Sequence, residues 1–109
     1  MAQKRIPKQK LKIVQDYVKR LSVENKLPMS RVILFGSFAK GQQRKDSDID
    51  ICVISKKFQD GLKATQFLWK KRTMQEAMAG LEPVGFSQKD FAKGGSLVEE
   101  IQKTGVIIM

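Results

Sequence analysis

The stretch Asp48-Ile49-Asp50-Ile51-Cys52-Val53-Ile54 restricts the fold more than any other part of the chain. Apolar and β-branched residues at this density predict a strand, and a strand sends successive side chains to opposite faces. Ile49, Ile51 and Val53 then share one face that must be buried, while Asp48 and Asp50 share the other with Cα atoms ~6.6 Å apart. Neighbouring carboxylates repel and raise one another's pKa, so placing both on a core strand is costly without a cation between them. A hard divalent ion such as Mg²⁺ meets that need, because it takes one or two carboxylates and completes its octahedron with water and phosphate oxygens. The implied substrate is a nucleotide.

A second feature complements the first. Arg31-Val32-Ile33-Leu34-Phe35 predicts a short buried strand that Gly36-Ser37 ends. A glycine at a strand-to-helix turn lets a phosphate approach the backbone, the following amides point at it, and the Ser37 hydroxyl adds a donor. Ser37 is expected to cap a brief helical segment from Phe38 to Lys40, closed by Gly41. Gln42 to Ser47 reads as a polar loop. Lys40, Arg44 and Lys45 lie between the serine and the aspartates, where they either neutralise phosphate charge or form a solvated loop.

Elsewhere the patterning alternates between helix and strand. Leu11, Val14, Val18 and Leu21 recur at spacings of three and four, predicting an amphipathic helix over residues 8–25. A helix is expected from Asp60 to Met78, with Ala64, Phe67, Leu68, Met74 and Met78 on one face and Gly80 as its stop. Leu81 to Phe86 reads as a weaker strand, which Pro83 confines to an edge or a strand start because it lacks an amide donor. Ser87 opens a short helical turn through Phe91, and Ser96 to Thr104 forms a last helix with Leu97, Val98 and Ile101 inward. Val106 to Met109 remains as a terminal apolar run. These elements predict one α/β (α+β) domain over residues 1–109. Its small mixed β-sheet of three or more strands would hold Leu34, Ile49, Ile51 and Val53 in the core, flanked by helices on one face, the one away from the carboxylates.

Composition removes several function classes. With no histidine and the single cysteine Cys52, the chain has no internal disulfide, no Cys/His metal cluster and no imidazole-based triad. Cys52 shares the aspartate face one pleat deeper and reads as a small buried apolar residue rather than a nucleophile. Lys plus Arg number 21 against 11 Asp plus Glu, a net charge of +10. Such a field attracts nucleic acid, nucleotides or an acidic partner, or simply serves solubility. Trp69-Lys70-Lys71-Arg72 interleaves an aromatic with bases, as nucleic-acid binders do and as a helix with one packed aromatic and a wet cationic face also does. Apolar runs such as Val32 to Phe35 fall far short of the ~20 residues that a bilayer requires. No apolar stretch of signal-peptide length follows the basic start MAQKRIPKQK, so a cytoplasmic location is expected.

Taken together, GSFAKGQQRKDSDIDICV resembles the Gly-Ser, spacer, Asp-x-Asp signature of the polymerase-beta-type nucleotidyltransferase superfamily. The chain is similar to its small branch, the minimal nucleotidyltransferases (MNT) that pair with HEPN-domain proteins in toxin–antitoxin systems. The resemblance implies that Gly36 and Ser37 hold a triphosphate and that Asp48 and Asp50 bind two catalytic Mg²⁺ ions. It also implies a third carboxylate on a later strand, a place that Glu82 occupies ahead of Val84, Phe86 and Ser87. The sequence has Glu where Asp is common, Pro83 directly after it, and Phe38 where many relatives carry arginine. The expected reaction is transfer of AMP from ATP to a hydroxyl of a partner protein, with a HEPN-domain toxin as the partner and this chain as the antitoxin. The alternatives are a non-catalytic antitoxin that masks its partner and a basic nucleic-acid-binding module.

Overall fold

The computed structural model describes residues 6–41 and 48–109. The apolar stripe of the first segment becomes helix α1 (Lys8–Glu24), which buries Val14, Tyr17, Val18 and Leu21. Strand β1 (Arg31–Phe35) leads through Gly36 into the single-turn helix α2 (Ser37–Lys40), and strand β2 (Ile49–Ile54) returns antiparallel to β1. Helices α3 (Gly61–Lys70) and α4 (Met74–Met78) then carry the chain to strand β3 (Leu81–Phe86), parallel to β2. Helices α5 (Gln88–Lys93) and α6 (Ser96–Thr104) precede a two-residue strand, β4 (Val106–Ile107), which pairs antiparallel with the other side of β1. The sheet is therefore mixed, as expected, with the order β3-β2-β1-β4.

Alternation along β1 and β2 sorts their side chains into two cores. Val32, Leu34, Ile49, Ile51 and Val53 pack with α1, α3 and Phe38 of α2 on one face. At about 1.5–3 kcal/mol for each fully buried aliphatic side chain, this cluster is the main source of stability. The other face is not bare, which corrects the expectation of helices on one side only. Ile33, Cys52 and Ile54 pack there with Phe91 of α5 and with Val98 and Ile101 of α6. The reason is that the aspartate face is polar only at the start of β2, and its apolar far end needs cover as much as the first face does. Leu97, expected inward, is 43% exposed, so α6 buries a narrower stripe than its apolar residues suggested.

The single helix expected over residues 60–78 is broken. Thr73 starts α4 as a reciprocal cap, its hydroxyl accepting from the Glu76 amide at 3.1 Å while the Glu76 carboxylate accepts from the Thr73 amide at 2.9 Å. Met74 and Met78 are consequently turned out, 79% and 81% exposed. The same Glu76 receives two hydrogen bonds from Arg20, at 2.7 and 3.0 Å, and Arg20 also donates to the Lys71 carbonyl at 2.7 Å. Together with the Tyr17 hydroxyl donating to the Leu68 carbonyl at 2.6 Å, these bonds fix α1 against the crossover that delivers β3.

β3 is an edge strand, one of the two positions that Pro83 allows. Its outer edge is closed by side chains from α3 and the turn after it. The Thr65 hydroxyl accepts from the Gly85 amide at 3.0 Å, the Trp69 indole donates to the Pro83 carbonyl at 2.8 Å, and Arg72 donates to the Leu81 carbonyl at 2.9 Å. Gly85 is required for this approach, because a Cβ there would stand 2.7 Å from the Cβ of Ala64. Blocking an edge in this way prevents it from pairing with another strand.

Candidate active site

The parallel register of β2 and β3 sets Asp50 directly beside Glu82, and the antiparallel register of β1 and β2 sets Phe35 beside Asp50 on its other flank. Asp48, exposed, stands just before β2. The three carboxylates expected from sequence thus meet at the start of the two parallel strands. Asp50 and Glu82 are half-buried. Burial, and then the charge of Asp48, hold the Asp50 carboxyl above its ordinary value. Burial also raises the Glu82 carboxyl, helped by the charges of Asp48 and Asp50 and by a hydrogen bond with Asp48, against an opposing pull from Arg72.

Gly36 brings the Gly-Ser turn to the same place. Its φ of 77° and ψ of −154° lie where essentially only glycine is found. A Cβ at this position would collide with the Asp50 carboxylate oxygen Oδ2. The glycine therefore has two reasons to be there: the backbone turn, and room for the carboxylate against the main chain. Ser37 follows as the first residue of α2. It does not cap that helix; Gly36 occupies the cap position and no side chain supplies a cap hydrogen bond, which corrects the expected role of the serine hydroxyl. Phe38, in the position after the serine, is anchored in the first core and holds α2 to the sheet. Lys40 ends α2, and the left-handed Gly41 closes it with its amide donating to the Phe38 carbonyl at 3.3 Å. Arg44 and Lys45 lie outside the described residues.

Cys52 is fully buried one pleat beyond Asp50, and burial pushes its thiol up to about 12, so it is neither nucleophile nor ligand. Among the described residues no three Asp, Glu, Cys or His side chains are already gathered as a metal site. The carboxylates perturb one another without converging on a point. Their chemistry nevertheless fits a divalent ion: an all-oxygen donor set whose carboxyl pKa values are raised first by burial and then by one another's charge is relieved by a hard cation such as Mg²⁺.

Arg72 is the residue that sequence patterning missed. It had been placed in a basic run with Trp69; instead its guanidinium stacks 3.9 Å from the Trp69 ring centre and is the cation opposing the raised pKa of Glu82. No spacing rule connects position 72 with position 82, because the crossover and the Leu81 carbonyl bring them together. Trp69, 41% exposed, is held by the Pro83 carbonyl and this stack, so the first and last residues of the Trp-Lys-Lys-Arg run, Trp69 and Arg72, serve the sheet edge.

Residues 8–107 match the family described as the nucleotidyltransferase domain. A Methanocaldococcus jannaschii protein, MJ0141, named provisionally as a protein adenylyltransferase, is 37% identical over 46 residues, 42% of this chain and 46% of its own length. The match thus spans less than half of that relative. A crystal structure from Sulfolobus solfataricus, provisionally assigned as a nucleotidyltransferase, superposes with a TM-score of 0.66 at 18% identity, covering 91% of this chain and 78% of the other. A crystal structure described as a toxin–antitoxin with AMP-PNP superposes with a TM-score of 0.56, also at 18% identity, covering 87% of this chain and 72% of the other. At these identities the likeness is one of fold.

Proposed function

The chain belongs to the nucleotidyltransferase domain family, and we propose that it transfers AMP from ATP to a hydroxyl of a partner protein, with pyrophosphate leaving. The observation that carries this reading is the contact of Gly36 with Asp50 beside Glu82, a phosphate-type turn laid against paired carboxylates. The protein-adenylyltransferase name of the archaeal relative supports a protein acceptor. The toxin–antitoxin structure with AMP-PNP supports ATP as donor and a place in a toxin–antitoxin pair. The antitoxin role and a HEPN-domain toxin as partner are carried only by the resemblance of the Gly-Ser and Asp-x-Asp motifs.

In this reading Asp48, Asp50 and Glu82 would hold two Mg²⁺ ions, which would supply Lewis-acid charge stabilisation to the transferring phosphoryl group. Gly36 lets the triphosphate approach the main chain, and the Ser37 hydroxyl donates to a phosphate oxygen. Lys40 and Arg44 offset further phosphate charge. Glu82, whose carboxyl pKa is raised above its ordinary value first by burial, accepts the proton of the acceptor hydroxyl. The acceptor oxygen bonds to the α-phosphorus while the bond from that phosphorus to pyrophosphate breaks. ATP is available in the cytoplasm, which is where we place the reaction; among the described residues no helix is long and apolar enough to cross a membrane.

One observation favours a second reading. The carboxylates are not gathered as a ready metal site, as suits an antitoxin that masks its partner without transfer. Co-expression with the neighbouring gene product, followed by mass spectrometry of that product, separates the two. Transfer adds AMP to the partner and is lowered ~10²–10⁴-fold in Glu82→Gln, the range typical of a lost general base. A neutralised partner of unchanged mass establishes masking, and efficient modification of an aminoglycoside by the isolated chain overturns the protein acceptor.

A further inference from the structure

We propose that the end of the molecule opposite the carboxylates is a docking surface for an acidic polypeptide segment carrying an apolar side chain. Asp50 lies at the start of β2 and Ser55 just past its end, so the two ends of the strand are about 17 Å apart at the usual rise per residue. At the far end the turn after β2 is braced by buried Ser55, whose hydroxyl accepts from the Lys57 amide at 3.1 Å and whose carbonyl accepts from the Phe58 amide at 3.2 Å. Two cavities meet at this turn and share Phe58 and Gln59 as a wall.

The first cavity, about 450 Å³, is edged by Lys56 from the turn and by Lys89 and Lys93 of α5. The second, about 430 Å³, has Leu27, Phe58 and Phe67 in its lining, with Lys57 and Lys63 at its rim. All five lysines are exposed, and none takes part in an ion pair within the described structure. Among the residues lining the two cavities the acidic ones are Asp60 and Asp90. The Asp60 carboxylate is engaged as the cap of α3, accepting from the Leu62 amide at 2.9 Å. Positive charge is therefore in excess, and it surrounds an apolar pocket.

That combination selects the occupant. Carboxylates in the lysine groove and an apolar or aromatic side chain in the adjoining pocket satisfy both cavities at once. A nucleic acid would satisfy only the first, because base stacking needs exposed aromatic faces and here Phe58 is buried while Phe67 packs edge-on to it with ring centres 6.3 Å apart.

The test is fluorescence anisotropy with labelled poly(Glu,Tyr), an acidic polymer with aromatic side chains, in the absence of nucleotide and metal. It is therefore independent of whether transfer occurs. The full chain is expected to bind this polymer at least about tenfold more tightly than poly-Glu, and to lose most of that affinity in 1 M salt. The triple variant Lys56→Glu/Lys89→Glu/Lys93→Glu, at exposed positions where folding is checked by circular dichroism, is expected to lose at least about tenfold. Unchanged affinity in the triple variant overturns the proposal. So does poly-Glu binding equal to poly(Glu,Tyr), which removes the apolar anchor, or poly-U binding more tightly than either, which makes the surface a nucleic-acid site.

Discussion

Gly36→Ala tests the central contact of the site, and the molecule contains its own control. Gly36 and Gly94 have nearly the same backbone conformation, φ 77° and ψ −154° against φ 86° and ψ −152°. A side chain in that region costs on the order of 1–3 kcal/mol at either position. Their surroundings differ: a Cβ at Gly94 meets nothing within 4 Å, whereas at Gly36 it collides with the Asp50 carboxylate. Forcing that carboxylate aside adds an overpacking cost of about 1–3 kcal/mol. Taking about 2 kcal/mol for each contribution, Gly94→Ala loses about 2 kcal/mol and Gly36→Ala about 4 kcal/mol. At about 5 °C per kcal/mol for a chain of this size, the melting temperature falls by roughly 10 °C and 20 °C respectively. Thermal unfolding by circular dichroism reads both, and calorimetry with Mg·ATP at a temperature where both variants are folded reads the site. Gly36→Ala is expected to weaken nucleotide binding while Gly94→Ala leaves it unchanged. Equal loss of stability in the two variants, together with full Mg·ATP affinity in Gly36→Ala, would refute the contact and with it the joining of the turn to the carboxylates.

Three further outcomes follow from the structure. Arg20→Ala strips Glu76 of both its side-chain hydrogen bonds from α1 and is expected to cost about 3 kcal/mol, read as a lower urea midpoint with unchanged slope; a loss below about 1 kcal/mol contradicts a buried pair. Trp69→Phe removes the donor to the Pro83 carbonyl and the larger face under Arg72, costing about 1 kcal/mol and freeing that carbonyl at the β3 edge, so light scattering should detect more concentration-dependent association than in the wild type; equal scattering contradicts this. The third concerns pH. Asp50 and Glu82 carry raised pKa values, so between the ordinary and the raised values the folded chain binds more protons than the unfolded one, and stability from these groups falls as pH rises. In chelator at pH 7, Glu82→Gln should therefore be more stable than wild type, with the difference shrinking toward pH 4; a variant less stable than wild type at pH 7 shows that the carboxylates do not repel.

Strand alternation puts Asp48 and Asp50 on one face, and a missing amide restricts the Pro83 strand to an edge or a strand start. Glu82, by contrast, is singled out on a later strand only through the family resemblance, and that this strand lies beside β2 is visible only in the assembled sheet. Periodicity failed where a local hydrogen bond competes with it. Residues 60–78 look continuous by apolar spacing, yet Thr73 and Glu76 form a reciprocal cap that starts a new helix and exposes Met74 and Met78. The Thr-x-x-Glu pattern stands in the sequence, but apolar spacing alone does not register it. β4 was not legible: two residues carry no period, and their pairing with Ile33 and Leu34 exists only once the sheet is assembled. Arg72 was invisible for the same reason, since the Leu81 carbonyl and the Glu82 carboxylate come within its reach only once β3 is in place.

The central claim is that the turn at Gly36 and the carboxylates at the start of β2 and β3 form one nucleotide site. Titration calorimetry of Mg·ATP into wild type and into Asp48→Asn/Asp50→Asn tests it most directly. The account predicts a single site in the wild type that is lost in the double variant, with both proteins folded by circular dichroism. Equal affinity in the two proteins, or no binding by the wild type, contradicts it.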